Sequence, residues 1–532
     1  MGRLKGRVAR RALLSLPGAA MLPRGAAQSQ TAADTLSLAV AAPPTSLDPH
    51  YYTLVPNSMV AEHFFDRLVG RDAQARLQPE LAESWRPLDD TTWEFRLRRG
   101  VTFSNGDAFT AEDVVFTLRR IPNVVNSPGS FAVYTRGIAA WEVVDPHTIR
   151  FRTHGIHPLL PHDLSQICII PKCLGDAVST GDFNNGRAMI GTGPFRFVSY
   201  TPDDRVVMVR NEDYWGEKPD WSRVTYRFIV NDGVRVAALL SGDVQMIDVV
   251  PPADMPRLRS VQGIGFSEIP SLRCIYVRLD TGHDSSPYIT GPDGQRLDRN
   301  PLRDRRVRRA LSIAINRQAI VDRLMQGAAT PIGQMMPPGA NGYVPDLPAP
   351  PFDPDGARRL LAEAGYPNGF GITLIGPNNR YVNDAQIVQA IGQMWQRIGV
   401  RTRVEAIPFA VLAQRQARND MSALLIGWAT IGEPSTALRG ILTTRAPDKG
   451  FGTANFSGYS HPGVDALVDE GLRTADDARR EEAFKHAMRL AMEDVALVPL
   501  HMQKNVWALR AGLTYEARAD EYTVAMGVKR SR

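Results

Sequence analysis

Residues 371–407 read GITLIGPNNRYVNDAQIVQAIGQMWQRIGVRTRVEAI. The first five residues suit a strand, and the residues that follow place apolar side chains on one helical face. That face consists of Ile387, Ile391, Met394, Trp395 and Ile398. Gly399 ends the helix, and residues 400–407 alternate as a second strand. The helix between the two strands carries the chain back to the end of the sheet where the first strand began. The two strands are therefore predicted to be parallel, with a right-handed crossover.

The segments on either side repeat this alternation of helix and strand. Asp353 is a helix N-cap followed by Pro354 at the first helical position, and Gly365 is placed to end that helix in a left-handed conformation. Further helices are predicted at 304–326, 462–471 and 476–494, and further strands at 422–428 and 495–499. The chain is therefore an α/β protein with more than one lobe.

The N-terminal half contains antiparallel patterns. Residues 92–98 alternate strictly between apolar and polar side chains, which predicts a half-buried strand. Residues 110–113 have the form of a capping box at the start of a helix. Residues 141–144 and 148–152 flank a turn that contains Pro146, which predicts a hairpin.

The composition is that of a packed globular protein. Of the 532 residues, 43% are hydrophobic and 22% are charged, which excludes a disordered chain and allows two or three domains. The formal net charge of +6 comes from six basic residues within positions 1–27, because the rest of the chain has 56 basic and 56 acidic residues. The charge therefore gives no indication of a nucleic-acid partner.

Residues 1–27 have the features of an export signal. A basic stretch precedes an apolar run at 12–22, which is too short to cross a bilayer, and small residues follow at 25–27. The pair Arg10-Arg11 leaves both a twin-arginine and a Sec signal open. Because no cysteine stands near the cleavage site to carry a lipid, the sequence predicts a soluble periplasmic protein without a lipid anchor.

Three cysteines, Cys168, Cys173 and Cys274, leave at least one thiol unpaired in an oxidising compartment. Cys168 and Cys173 either close a small disulfide loop or pack as free thiols. Since three cysteines cannot crosslink so long a chain, burial of apolar side chains must hold the fold.

Local motifs for catalysis or cofactor binding are absent from the sequence. It contains no Walker loop, no Gly-x-Ser-x-Gly elbow and no His-Glu-x-x-His motif. The run Gly191-Thr192-Gly193 begins like a dinucleotide fingerprint, but Arg196 occupies the third glycine position. His154, His157 and His162 are metal-ligating residue types at close spacing, yet the glycine and prolines among them favour a polar loop.

A series of blocks then stands in a fixed order along the chain. They are LAESW (81–85), TWEFRLRRGV (92–101), FTAEDVVF (109–116), IPK (170–172), GTGPF (191–195), NEDYWG (211–216), VRRALSIAI (307–315), LAEAGY (361–366) and GW (427–428). Together these blocks resemble the signature of the family 5 extracellular solute-binding proteins. Members of this family serve ABC importers and include dipeptide, oligopeptide and nickel binders.

The resemblance implies a type II periplasmic-binding-protein fold, in which two hinged lobes close on a ligand and a third domain is inserted. Lobe I would comprise 28–60, 191–274 and 496–532, the inserted domain 61–190, and lobe II 275–495. The resemblance also implies a monomeric binding protein without enzymatic activity or cofactor. It would deliver a small solute, a peptide or a peptide-like molecule, to an ABC permease and its ATPase at the inner membrane.

The family places the ligand beside the segment Gly427-Trp428-Ala429. In its peptide binders this segment pairs its backbone with the extended ligand, and Trp428 would form a wall, the alternative being a core tryptophan. Those binders carry an aspartate shortly afterwards for the ligand's α-ammonium, whereas this chain has Ile431 near that position. Either Glu433 supplies the charge or the ligand has no free amine there, and the second is favoured.

Loops that face the cleft in the family suggest further pocket residues, with ordinary core packing as the alternative. These are His50, Tyr51, Tyr52, Phe131 and Tyr134. Two other functions remain open at this point. A metal carrier would use His154, His157 or His461, and a secreted hydrolase would need a titratable pair in the cleft.

Overall fold

The computed structural model describes residues 34–531, so the predicted export signal at 1–27 lies outside the described residues. The strands are β1 Thr35–Val40, β2 Val69–Arg71, β3 Leu77–Pro79, β4 Ala82–Asp89, β5 Thr92–Leu97, β6 Ile138–Asp145, β7 Thr148–Thr153, β8 Phe195–Thr201, β9 Arg205–Arg210, β10 Arg223–Phe228, β11 Met246–Ile247, β12 Ile264–Leu279, β13 Ile289–Thr290, β14 Ala329–Pro331, β15 Gly371–Pro377, β16 Arg401–Ile407, β17 Ala423–Ala429, β18 Val498–Arg510, β19 Leu513–Tyr515 and β20 Val528–Arg530.

The α-helices alternate with these strands, as an α/β protein requires. They are α1 Val55–Ala61, α2 Ala111–Arg120, α3 Leu160–Leu164, α4 Thr180–Asn184, α5 Asp232–Ser241, α6 Met255–Arg259, α7 Arg305–Ile313, α8 Arg317–Ala319, α9 Pro354–Glu363, α10 Asp384–Arg397, α11 Phe409–Ala417, α12 Ser435–Ala437, α13 Pro462–Leu472 and α14 Asp477–Glu493. Within residues 34–531, no helix has both the length and the apolar character to cross a membrane.

A mixed sheet of 12 strands runs through most of the molecule, in the order β13-β15-β17-β12-β18-β11-β1-β10-β9-β8, with β14 on β18 and β16 on β15. The long antiparallel strands β12 and β18 lie at its centre. Their pairing is interrupted between Pro270 and Cys274. In this interruption Leu272 donates its N–H to Ala519 (3.0 Å) and accepts from the N–H of Thr430 (3.1 Å). The irregular stretch of β12 therefore connects two distant loops.

The predicted strand–helix–strand unit is confirmed. Strands β15 and β16 pair in parallel from Gly371 opposite Arg401 to Pro377 opposite Ile407, and α10 lies between them in the chain. Trp395 of α10 is fully buried and donates its indole N–H to the carbonyl oxygen of Leu311 at 3.0 Å. The apolar stripe read from the sequence is thus the face of α10 that lies in the hydrophobic core.

The antiparallel predictions in the N-terminal half are also confirmed. Strands β4, β5, β7 and β6 form a four-stranded antiparallel sheet in that order, with the predicted hairpin at β6 and β7. Helix α2 begins after Thr110, whose N–H donates to the carboxylate of Asp113 at 2.8 Å. This bond is one half of the capping box expected at this position.

Gly191 and Gly193 serve a packing role. A Cβ atom at Gly191 would lie 1.9 Å from the carbonyl oxygen of Phe64, and one at Gly193 would lie 2.5 Å from its carbonyl carbon. The N–H of Gly193 donates to that same oxygen at 3.0 Å. Only glycine permits two backbones to approach so closely, which accounts for the pattern without a dinucleotide.

Two predicted elements have the wrong extent. The single helix expected at 304–326 is broken, because α7 ends at Ile313 and the side chain of Asn316 caps a new start at 2.9 Å from the N–H of Ala319. The strand expected at 495–499 is instead β18, which continues to Arg510 because β12 pairs along it. Polar residues within 501–505 hide this strand from a search for apolar periodicity.

All three cysteines are free, so Cys168 and Cys173 do not form the disulfide that the sequence left open. Cys168 is buried and Cys173 is exposed. Burial raises the pKa of Cys168 to about 12, and burial also raises the pKa of Cys274, so both thiols are inert packing groups.

The buried apolar side chains form several clusters, and two of them include residues from more than one predicted unit. One surrounds β1, β10 and the C-terminal segment, a second fills the four-stranded sheet, and others lie around β15 and α14. The predicted domain boundary between 274 and 275 falls inside β12. The domain limits stay a prediction.

Candidate ligand-binding site

The C-terminal end of β17 has one open edge. Strand β17 pairs with β12 as far as Ala429, but with β15 only at Ala423 and Leu424. Among the residues that the structure describes, no strand covers the second edge of residues 425–429. The backbone groups on this edge are therefore available to pair with another extended chain.

Tyr381 stands beside this open edge. Its hydroxyl donates to the carbonyl oxygen of Gly427 across 3.3 Å. A Cβ atom at Gly427 would lie 2.9 Å from the ring of Tyr381 and 2.7 Å from the side chain of Ile275. Gly427 is therefore required for close packing, and the tyrosine fixes the direction of the strand end.

Trp428 is half-buried on the opposite face of the strand. It pairs with Cys274 on β12, and its ring packs against Gly440, where a Cβ atom would lie 3.3 Å from the ring atoms. The indole Nε1 is buried and has no hydrogen-bond partner among the described residues. The hydroxyl of Thr430 is likewise buried and unpartnered. Such donors are costly unless a ligand or water satisfies them.

Arg380 brings a positive charge to the same place. Its guanidinium lies over the rings of Tyr381 (5.5 Å) and Phe409 (5.6 Å), with no acceptor or ion-pair partner among the described residues. Burial and the nearby charge of Arg273 lower its pKa, whereas Glu521 and Tyr52 act in the opposite direction. Arg380 is thus a partly desolvated cation that is held without a counter-ion.

The loop before α10 holds Arg380 in position. The carboxylate of Asp384 accepts from the N–H groups of Arg380 (2.9 Å) and Tyr381 (3.0 Å). Asn383 adopts a left-handed conformation, with φ of 55°, and donates to the carbonyl oxygen of Leu324 at 2.6 Å. The side chains of this loop are therefore presented from a fixed backbone.

Arg273, by contrast, has a complete partner. It donates to both carboxylate oxygens of Glu521, each at 2.7 Å, and the hydroxyl of Ser271 donates to the same group at 3.0 Å. The pair is largely buried and joins β12 to the C-terminal segment. Its charges cancel, whereas Arg380 has no ion-pair partner among the described residues.

Glu433 is hydrogen-bonded within its own loop. It is buried, and its two oxygens accept from the N–H (2.8 Å) and the hydroxyl of Ser435 at the start of α12. Ile431 is half-buried and supplies no charge. Because no cation among the described residues pairs with Glu433, both alternatives left open by the sequence remain predictions.

The aromatic residues near position 50 lie in two environments. Tyr51 and Tyr52 are half-buried, and the ring of Tyr52 rests on Gly129, where a Cβ atom would lie 2.8 Å from it. Tyr52 is also close enough to Arg380 to influence its pKa. Tyr52 therefore lies in the neighbourhood of Arg380.

His50 is instead part of a buried polar network. Its Nε2 lies 2.8 Å from the carbonyl oxygen of Cys168, and Arg120 lies 3.0 Å from its Nδ1 while also pairing with Asp48. Burial and the charge of Arg120 lower the pKa of His50 to about 4. With both ring nitrogens engaged, His50 has no free group to offer a ligand.

Phe131 and Tyr134 pack together at 6.0 Å, with Phe131 buried against His50. Burial, and then the charge of Asp163, raise the pKa of Tyr134 to about 12. Phe131 is therefore placed like a core residue. Tyr134 lies near enough to Asp163 of α3 to be affected by its charge.

The histidines that suggested a metal site have other partners. His157 lies 3.0 Å from the carboxylate of Asp163, and Nδ1 of His461 accepts from the N–H groups at the start of α13. Within residues 34–531, no group of three or more histidine, cysteine or acidic residues is arranged to hold a metal ion.

Comparison with known proteins gives the family. The family model for bacterial extracellular solute-binding proteins, family 5 Middle, matches residues 76–448. The chain belongs to the family 5 extracellular solute-binding proteins. Di/tripeptide-binding protein 1 of Pseudomonas aeruginosa is 30% identical over 518 residues, which are 91% of each chain. The glutathione-binding protein GsiB of Salmonella choleraesuis is 28% identical, over 91% of this chain and 92% of its own.

The same family 5 fold appears in solved structures. The periplasmic binding protein DppA of Helicobacter pylori, in complex with the peptide STSA, superposes with a TM-score of 0.79 at 23% identity, over 94% of this chain and 98% of that one. The type II periplasmic-binding fold predicted from the sequence is confirmed. This family 5 protein is the solute-binding component of an ABC importer and works with a permease and an ATPase.

Sequence patterns missed Arg380, Tyr381 and the pair of Arg273 with Glu521. The only local signal for the first two is Asp384, which resembles a helix N-terminal acid and gives no reason to expect a charge without a partner four residues upstream. The pair of Arg273 with Glu521 joins residues 248 positions apart, which no local pattern reveals.

Proposed function

We propose that this protein captures a peptide or peptide-like solute between its two lobes and delivers it to the permease. The observation that carries the proposal is the open edge of residues 425–429, which lies beside the unpaired guanidinium of Arg380. An open strand edge offers main-chain hydrogen bonds, and a fixed cation offers a partner for a terminal carboxylate.

The proposed complex uses these groups together. The ligand backbone extends the sheet at β17, Trp428 lies against it as a wall, and Tyr52 approaches from the other side. Because the ligand touches both sides, it stabilises the closed arrangement over the open one. The difference in affinity between the two arrangements sets how much closed protein the permease meets.

The proposal also covers the export, the location, the oligomeric state and the domain limits of the protein. Residues 1–27 direct export, and the mature chain acts in the periplasm as a soluble monomer without a lipid anchor. Lobe I consists of 28–60, 191–274 and 496–532, with 61–190 inserted and 275–495 as lobe II. The protein binds without catalysis. A metal cargo is not favoured, because His157 and His461 are engaged with protein groups.

The test is to identify and rebind the natural solute. Protein purified from its own periplasm is analysed by native mass spectrometry, and the released solute is titrated calorimetrically into stripped protein. W428A and R380Q are expected to weaken binding by about tenfold or more each, since each removes a desolvated contact. W141A, which removes an exposed tryptophan on β6, serves as control and retains affinity. Unchanged affinity in both site variants would overturn the proposal.

A further inference from the structure

Arg278 on β12 differs from the other buried arginines in its hydrogen-bond partners. Five arginines besides it are buried, and each donates to at least one oxygen atom: Arg67, Arg235, Arg273, Arg308 and Arg317. The side chain of Arg278, which is 6% exposed, has one acceptor within residues 34–531, the thioether sulfur of Met421 at 3.1 Å. Because a thioether is a weak acceptor, this guanidinium is buried without an adequate partner.

The carboxylate whose charge reaches Arg278 is bonded to other groups. Burial lowers the pKa of Arg278 to about 10, and the effects of Tyr276 and Asp280 only oppose this change. Asp280 accepts from the hydroxyl of Ser286 at 2.6 Å and from the N–H of His283 at 3.2 Å, and it lies 3.0 Å from Nδ1 of the same histidine. Arg278 is therefore a desolvated cation whose charge is balanced only from a distance.

A second arginine brings another positive charge to the same place. The guanidinium of Arg278 lies 5.4 Å from the centre of the Phe456 ring, and that of Arg445 lies 5.7 Å from it. Arg445 is exposed, and in the part of the chain that the structure describes its side chain has no acceptor or ion-pair partner. The ring attracts each cation but neutralises neither. The two guanidiniums therefore form a positive patch that is buried at Arg278 and open to solvent at Arg445.

This patch lies toward the opposite end of β17 from the proposed ligand-binding segment. Arg278 stands opposite Leu424 near the start of the strand, whereas Trp428 stands opposite Cys274 near its end. The two positions are four residues apart, which corresponds to about 13 Å of strand. A ligand at Arg278 would therefore be separate from the transported solute, and the inference does not depend on the proposed function.

We infer that Arg278, Arg445 and Phe456 form a second binding site, which takes a compact oxyanion such as inorganic phosphate or a carboxylate ion. A guanidinium presents parallel N–H donors that match the oxygen atoms of these anions. The anion would give Arg278 the acceptor and the counter-charge that the protein does not supply, and Arg445 would add a second positive charge from the solvent side. Because Arg278 is shielded from water, its attraction for the anion is stronger than that of an exposed arginine.

Anion titrations of the full mature protein test the inference. Sodium chloride is replaced stepwise by sodium phosphate or by sodium acetate at constant pH and ionic strength, and the unfolding temperature is measured for the wild type, R278M, R445Q and R152Q. Arg152 is an exposed arginine on β7 and serves as the matched control for Arg445. The unfolding temperature of the wild type and R152Q should rise to a plateau, R278M should lack this rise, and R445Q should need about threefold to tenfold more anion.

The two anions distinguish the sources of the oxyanion. A plateau with phosphate alone, with acetate alone or with both supports the inference and identifies the anion that the site takes. The absence of a plateau with both anions, or an equal rise in R278M and the wild type, would overturn it. R445Q tests the site without altering the buried arginine, and a midpoint equal to that of R152Q would also overturn the inference.

A pair of buried variants tests whether Arg278 lacks partners in the protein itself. Arg317 donates to the carbonyl oxygens of Pro499 (2.7 Å) and Ser312 (3.0 Å), so R317M leaves both without a donor and should lower the unfolding temperature. R278M removes a buried charge that has no oxygen partner and should leave the unfolding temperature in chloride unchanged or raise it. A decrease in R278M as large as that in R317M would show that Arg278 already has the partners it needs, and would overturn the inference.

Discussion

The guanidinium of Arg439 lies 3.6 Å from the carboxylate of Asp163. Asp163 belongs to α3, within the proposed inserted domain, and Arg439 lies in the π-helical turn Leu438–Leu442, which follows the proposed ligand-binding segment. The second oxygen of the carboxylate lies 3.0 Å from His157. This ion pair therefore connects two segments that the proposed lobe movement would separate.

Removing that ion pair should favour the open arrangement. We expect R439Q to weaken ligand binding about threefold to tenfold, because a partly buried pair contributes roughly 1 kcal/mol to the closed state only. Calorimetry measures the affinity, and small-angle scattering measures the radius of gyration without ligand, which should increase. R473Q removes the exposed pair with Asp469 and serves as control. Identical affinity and scattering in R439Q and R473Q would contradict the expectation.

The close approach of Gly432 to Ala75 predicts a second effect on closure. Gly432 has φ of 95°, and a Cβ atom there would lie 2.8 Å from the carbonyl oxygen of Ala75 and 3.2 Å from its Cβ. We expect G432A to weaken ligand binding about tenfold, since the two loops must move apart.

A second glycine separates the clash at Gly432 from the cost of the backbone conformation. Gly100 has φ of 75° with nothing within 4 Å of a Cβ atom, so G100A reports only the conformational cost, about 1 kcal/mol of unfolding free energy. Equal ligand affinities for G432A and G100A would show that the contact with Ala75 has no role in closure.

The buried carboxyl of Glu80 should make stability fall as the pH rises. Burial, and then the charge of Asp66, raise the pKa of Glu80 well above its usual value, and its Oε2 atom has no hydrogen-bond partner within residues 34–531. The folded state therefore holds a proton that the unfolded state releases above pH 4.5. This stabilising contribution is complete below that pH and is lost as the pH rises through the folded pKa.

Glutamine imitates the protonated carboxyl at every pH. We expect E80Q to increase the free energy of unfolding by about 1 to 3 kcal/mol at pH 8, with a smaller gain at pH 4.5. Urea denaturation at both values measures the difference. E83Q changes a nearby carboxyl that is paired loosely with Arg98 at 3.9 Å and should alter stability by no more than about 0.5 kcal/mol. A destabilised E80Q at pH 8 would refute the argument.

The buried His501 should make stability fall as the pH decreases. It lies in β18, and both of its ring nitrogens are buried without a partner in the part of the chain that the structure describes. Burial lowers its pKa from 6.5 to about 4. The unfolded chain therefore binds a proton that the folded chain does not bind between these values. Stability is lost as the pH falls from 6.5 towards 4.

A leucine at this position cannot take up a proton. H501L should therefore lose less stability than the wild type between pH 7 and pH 4.5, by about 1 to 3 kcal/mol. Thermal unfolding across this range measures the change in slope. H486L, at an exposed position on α14, should leave the slope unaltered. A slope in H501L equal to that of the wild type would remove His501 from the acid response.

Only part of the candidate site could be predicted from the sequence. The segment Gly427-Trp428-Ala429 was expected at the ligand because of the family resemblance, and in the structure it ends a strand with an open edge. Glu433 was kept open as a charge partner, but its bonds to Ser435 depend on how the chain turns into α12. A carboxylate that serves a neighbouring backbone group looks the same in the sequence as one that serves a ligand.

The sequence by itself determined the elements whose signals are short-range. Helix α10 with its buried face, the cap at Asp353, the capping box before α2 and the ordered blocks of the family all depend on residues a few positions apart. Only the tertiary structure decided that Arg380 lacks a partner whereas Arg273 is neutralised by Glu521. Charge balance at a site depends on contacts between residues far apart in the chain, and no local periodicity records those contacts.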